Sequence, residues 1–113
     1  MKQERLVRAQ SISKKIISEY IITELQELCS DHGIVTVTEV IISNDLGYMD
    51  VFVSCLMNTQ DLTKSLSEYA HPLHRSLGKK VDFVKVPKLR FRYDESGKDS
   101  SRIYTTIKNL DLK

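Results

Sequence analysis

The sequence predicts an α+β fold in which helices cover one face of a three-stranded sheet. Three observations carry this. Apolar residues recur every three or four positions over residues 5–29 and again over 59–77. Residues 34–42 are β-branched nearly throughout and are joined to a second alternating run by the short turn Ser43-Asn44-Asp45-Leu46-Gly47. Residues 88–93, Lys-Leu-Arg-Phe-Arg-Tyr, alternate apolar with basic without a fault. A length of 113 residues holds one domain, expected to span residues 1–113, and a hydrophobic content of 41% is enough to bury a core, which excludes wholesale disorder.

Taken in order, residues 5–29 read as one long helix. Leu6, Ala9, Ile12, Ile16, Tyr20, Leu25 and Leu28 form its apolar stripe, which Ile17 and Ile21 widen. Ser30-Asp31-His32-Gly33 ends it, with Gly33 in the left-handed conformation. Residues 34–42 form the first strand. Its alternation runs on Val35 and Val37 and then shifts to Val40 and Ile42, which predicts a bulge near Thr38-Glu39. Asn, Asp and Gly in the following turn supply side-chain bonds and positive φ. Residues 48–57 form the second strand, antiparallel to the first, with Met49, Val51, Val53, Cys55 and Met57 on one face and Tyr48, Asp50, Phe52 and Ser54 on the other. Thr59 is expected to cap a helix carrying Leu62, Leu66, Tyr69 and Ala70. Pro72 then forces a kink at Ala70-His71-Pro72 and sits in the first turn of a second helix bearing Leu73 and Leu77. The helical crossover lets residues 88–93 run parallel to a hairpin strand. Residues 101–110, with Ile103, Ile107 and Leu110 inward, form a short final helix.

Charge is unevenly spread. Residues 1–16 hold five basic side chains against one acid, residues 17–70 hold one against nine, residues 71–93 hold seven against one, and residues 94–113 hold four of each. If the two basic blocks meet in space, they form a positive face suited to a polyanion. No apolar run approaches the ~18 residues that would cross a membrane, and residues 1–16 lack the apolar stretch of a secretory signal. Cys29 and Cys55 fall in apolar periodic segments without a CxxC, which reads as two small core residues of a reduced, cytoplasmic protein.

Three stretches then become specific. Val37-Thr38-Glu39-Val40 running into Ser43-Asn44-Asp45-Leu46-Gly47-Tyr48 resembles the TVxxV…S-x-DLxYA hairpin of the ribosome-binding factor A family, a bacterial family of ribosome assembly factors. Arg75-Ser76-Leu77-Gly78-Lys79 leading to Val86 resembles a second stretch. Pro87-Lys88-Leu89-Arg90-Phe91-Arg92-Tyr93-Asp94 resembles the family's PxLxFxxD. Arg5 and Arg8 before Ile12 fit its N-terminal arginines. The resemblance implies a type II KH-like fold, αββααβ, and a factor that is not an enzyme. It also implies binding to the small ribosomal subunit and its rRNA in late maturation, with processing of the 5′ end of 16S rRNA, and a link to growth at low temperature. The chain departs from the family at the kink, where Tyr69-Ala70-His71-Pro72 stands in place of Ala-x-Gly. With its end at Lys113, it is also expected to lack the contacts of the charged tail that many members carry.

Glycines stand at 33, 47, 78 and 97, so no pair has the GXXG spacing with which KH domains clamp single strands. Phosphate contacts to a folded RNA are expected instead. The candidates are Arg8, Lys14, Lys15, Arg75, Lys79, Lys80, Lys85, Lys88, Arg90 and Arg92, with Arg75, Arg90 and Arg92 favoured because a guanidinium binds phosphate through two donors. Arg75 to Lys79 ends like a phosphate loop but has Leu73 where Walker A needs glycine and no Ser or Thr after Lys79. His71 and His74 have metal-sharing spacing without a third ligand nearby and read as surface histidines. Asp45, Asp50, Asp94, Glu95 and Asp99 read as turn caps rather than acid–base or Mg²⁺ sites. No cofactor, metal or small-molecule substrate is expected, and the chain is expected to be a monomer because no large apolar patch stands out. The rival readings are an adaptor that docks a basic ribosomal protein through the acidic residues of 17–70 and, behind it, a metal-dependent nuclease built on the loop Asp94-Glu95-Asp99.

Overall fold

A computed structural model describes residues 3–81, 83 and 85–95. The expected helix over 101–110, with Ile103, Ile107 and Leu110, lies outside the described residues, as does Asp99. The elements are α1 (Gln3–Glu24), α2 (Gln26–His32), β1 (Thr36–Ile42), β2 (Tyr48–Ser54), a 3-10 turn (Thr59–Asp61), α3 (Leu62–Ser67), α4 (Ala70–Lys80) and β3 (Lys88–Tyr93). The sheet order is β1-β2-β3, with β1 antiparallel and β3 parallel to the central β2.

Register explains which face is covered. Val37 pairs with Val53, Val40 with Val51 and Ile42 with Met49, while Met49, Val51 and Val53 face Leu89, Phe91 and Tyr93 across the other ladder. Successive strand residues alternate sides, so these rows form one apolar face. Met49, Val51 and Val53 at its centre are completely buried. Val37 and Val40 share that face although they are three apart, because the register shifts between Val37 and Glu39 and Thr38 becomes the extra residue. Without this bulge, Val40 and Ile42 would point to the open side. The Thr38 hydroxyl donates to the Asp94 carboxylate, tying the bulge to the end of β3.

The single helix over 5–29 is corrected to two, broken at Leu25 (φ −117°, ψ 48°). The buried residues of α1 are Ala9, Ser13, Ile17 and Ile21, followed by Leu25 and Leu28. A step of four residues over-rotates by about 40°, so such a row winds off any flat partner. The break returns Leu25 and Leu28 to the core. The expected stripe is therefore rotated: Ile12 is 42% exposed, and Leu6, Ile16 and Tyr20 only flank the core. Ser13, polar in the sequence, occupies the middle of the buried face. Gln10 Oε1 accepts from the Ile42 N–H at 2.9 Å and ties α1 to the end of β1.

Gly33 has φ +80° as expected, but its ψ of −133° is extended rather than left-handed helical. The cause is the 55–58 loop folding over it. The Leu56 and Met57 N–H groups donate to the His32 carbonyl at 3.1 and 3.0 Å, and buried His32 places Nδ1 3.1 Å from the Met57 carbonyl. β1 accordingly starts at Thr36, leaving Ile34 69% exposed, and β2 stops at Ser54, before Cys55 and Met57. Cys29 and Cys55 are half-buried free thiols rather than core residues, and burial pushes the Cys55 thiol pKa up.

In the hairpin turn, positive φ falls on Leu46 (+60°) rather than on Asn44 or Gly47. The Asp45 carboxylate does cap the turn, accepting from the Gly47 N–H at 2.9 Å and the Ser43 hydroxyl at 2.7 Å. Thr59 is not a cap. It begins the 3-10 turn, and Asn58, in left-handed conformation, precedes it. The kink expected at Ala70-His71-Pro72 is corrected to Glu68 and Tyr69, where the chain leaves the helix, so Ala70, His71 and Pro72 form the first turn of α4. Pro72 needs no partner there because first-turn N–H groups have none. Leu62, Leu66, Leu73 and Leu77, all with no exposed surface, seat α3 and α4 on the sheet.

Candidate nucleic-acid interface

The side of the sheet that the helices leave open is built from the alternate residues of each strand. Its rows are Tyr48 beside Lys88, Ile41–Asp50–Arg90 across all three strands, and Glu39–Phe52–Arg92. The edge strand thus presents Lys88, Arg90 and Arg92, all exposed, from one face. The alternation of residues 88–93 places these three on one side correctly, but Asp50 is no turn cap. It stands in the middle of β2, where the parallel register sets it opposite Arg90.

Asp50 organises the face. Arg90 Nε donates to Asp50 Oδ1 at 2.8 Å and Arg90 Nη2 to Oδ2 at 3.3 Å, a side-on pair of bonds. Arg92 Nε also donates to Oδ1, at 3.3 Å. The Arg90 guanidinium also lies 4.1 Å over the Tyr48 ring, within cation–π range. Side-chain exposures of 42% for Arg90, 50% for Arg92 and 23% for Asp50 show an acid tucked beneath two open cations. Burial alone raises the Asp50 pKa, but hydrogen bonds and charge from both arginines outweigh it and hold the carboxyl below its ordinary value. The signal for this cluster was available only from the strand register, which no spacing in the sequence reveals.

The other basic candidates are exposed but distributed. Lys14 and Lys15 lie on the outer side of α1, with Arg8 two turns before. Arg75 Nη2 lies 3.0 Å from His71 Nε2 on the preceding turn of α4. Lys79 is exposed near the end of α4, while Lys80 lines a groove with Glu19, Tyr20 and Glu24 of α1. Lys85 is near enough to Asp45 to help lower its pKa, behind the larger effects of the Ser43 and Gly47 hydrogen bonds. His74 is not a free surface residue: its Nε2 sits 3.2 Å from the Val86 carbonyl and fastens the connection into β3. Among the described residues, no three His, Cys, Asp or Glu side chains cluster as a metal site, and no helix is long and apolar enough to cross a membrane.

Comparison with known proteins gives the family of the chain. Residues 5–107 match the family model described as ribosome-binding factor A. Over 115 residues the chain is 36% identical to ribosome-binding factor A of Natranaerobius thermophilus, covering 99% of this chain and 84% of that protein. Over 113 residues it is 32% identical to the Finegoldia magna protein, covering 97% and 93%. The crystal structure of ribosome-binding factor A from Thermus thermophilus superposes with a TM-score of 0.66 at 22% identity, covering 78% of this chain and 94% of that one. A homology model of the Thermus thermophilus factor, fitted into a cryo-EM map of its complex with the 30S subunit, gives 0.63 at 23% identity, covering 76% and 91%. These likenesses show the shared KH-like α+β fold, and the sequence match across nearly the whole chain shows that it belongs to the ribosome-binding factor A family.

Proposed function

We propose that this protein is a cytoplasmic, non-enzymatic assembly factor that binds the small ribosomal subunit through its rRNA and assists late maturation, including processing of the 5′ end of 16S rRNA. The observation that carries this reading is family membership over residues 5–107. The fold of the Thermus thermophilus factor fitted into the 30S map supports it. The exposed cations Arg8, Lys14, Lys15, Arg75, Lys79, Lys80, Lys85, Lys88, Arg90 and Arg92 would contact phosphates, which position a protein without reading sequence. Ala70, His71 and Pro72 would set how α4 is presented to the subunit. We take the working unit to be one chain of one domain.

The test is sedimentation of the purified protein with small subunits, large subunits and assembled ribosomes across a salt series. Co-migration with small subunits alone, fading as salt rises, is expected. Equal migration with all three would mean general attraction to polyanions. Absence of migration at low salt would favour the adaptor reading, in which the acidic residues of 17–70 dock a basic protein. The processing role is tested in a bacterium whose own family member is deleted: expression of this chain should restore mature 16S 5′ ends and growth in the cold.

A further inference from the structure

We infer that Asp50 is a positioning residue that holds Arg90 and Arg92 as a pre-shaped phosphate-binding pair on the open sheet face, trading attraction to RNA in general for selectivity toward a folded RNA surface. The inference rests on the RNA-binding reading above and deepens it.

An acid in the middle of a basic face weakens its field, so charge alone gives no reason for Asp50. Its geometry does. Asp50 takes Nε and one Nη2 proton of Arg90 and Nε of Arg92. Tyr48 covers one face of the Arg90 guanidinium. Among the described residues, Arg90 Nη1, the remaining Nη2 proton and both terminal nitrogens of Arg92 have no partner and are open to a ligand. The Arg90 guanidinium is thereby fixed in plane, and Arg92 is tethered at Nε by one longer bond, while both stay about half exposed. The anchors are backbone-rigid: Asp50 and Tyr48 lie on the central strand, and both arginines lie on β3, hydrogen-bonded to it in register. A free arginine must lose rotamer freedom when it binds, whereas a fixed one has already lost it. A fixed pair also suits only phosphates at matching positions, as on folded rRNA, whereas a flexible homopolymer gains nothing from the fixed geometry and loses from the added acid.

The experiment compares wild type with Asp50→Asn, Arg90→Lys and Glu27→Gln. Binding is measured to small subunits and to a fluorescent polyuridine strand. Glu27 is exposed on α2, far along the chain from this cluster, and its substitution adds the same unit of charge. Asp50→Asn is expected to weaken subunit binding about fivefold or more while tightening polyuridine binding. Arg90→Lys, which keeps the charge but loses the side-on bonds, is expected to weaken subunit binding likewise. Glu27→Gln should tighten both modestly. Thermal melts confirm that the variants are folded, and Arg90→Lys, at an exposed site, serves if Asp50→Asn does not fold. Tighter or unchanged subunit binding by Asp50→Asn overturns the inference, as does equal weakening on both RNAs. Failure of the wild type to bind subunits would instead sink the function proposed above.

Discussion

Two carboxylates carry the pH response that the residues dictate. Asp45 is held below its ordinary value by the Ser43 and Gly47 hydrogen bonds, and Asp50 by Arg90 and Arg92. A lowered folded-state pKa means stability that is fully present above the ordinary carboxylate value of 3.8 and lost as pH falls through the lowered one. Urea unfolding at pH 5 and pH 3 should therefore show a lower midpoint at the acid value. Asp50→Asn should reduce that difference, and carbon-detected NMR titration should place both carboxyl midpoints below the ordinary value. The Arg90 pair is solvent-exposed, so its worth to stability is small: Arg90→Ala should cost less than about 1 kcal/mol in urea unfolding while weakening RNA binding. The residue types of this cluster are plain in the sequence, but their partnership is not. Asp50 and Arg90 are 40 positions apart and meet only through a parallel register.

Among the elements, α1 shows how a polar residue can hide a buried face. Ser13 has no exposed surface, and its hydroxyl has no hydrogen-bond partner among the described residues. An unpaired buried hydroxyl costs free energy that a methyl group does not. Ser13→Ala should thus stabilise the fold by about 1 kcal/mol, measured by chemical unfolding, and a destabilised variant would mean that the hydroxyl is bonded in solution. The junction between α2 and β1 predicts the opposite sign. A Cβ at Gly33 would stand 3.0 Å from Leu56 Cβ at φ +80°, so Gly33→Ala should cost about 1–3 kcal/mol. The helix stop at Gly33 could be read from its residue type, because positive φ favours glycine. Its ψ could not, because it follows from the 55–58 loop bonding to the His32 carbonyl.

For the molecule as a whole, charge and apolar surface point to different uses of different sides. The open sheet face carries Lys88, Arg90 and Arg92, the α4–β3 connection carries Lys85, and the end of α4 carries Lys79 and Lys80. If these contact phosphates, the logarithm of subunit affinity should fall linearly with the logarithm of salt concentration. Each of Lys79→Ala, Lys85→Ala and Lys88→Ala should reduce that slope by about one, and a slope unchanged in all three would remove them from the interface. The monomer expectation rests on there being no large apolar patch, yet Ile22, Ile34 and Val35 line a groove along β1. Sedimentation velocity should show a single-chain species, and a dimer would direct attention to that groove.

Pattern and composition were sufficient for the order of strands and helices up to residue 93 apart from the break at Leu25, the bulge at Thr38, the hairpin, Pro72 in the first turn of its helix and the alternating strand 88–93. These depend on neighbours within a few residues: period, proline geometry and β-branching act locally. The break at Leu25, the face that α1 buries, the 3-10 turn that displaced Thr59 as a cap and the role of Asp50 required the folded chain. Each arises where segments distant in sequence touch, and there packing overrides a local preference or a partner supplies the charge that makes a side chain's position worth holding.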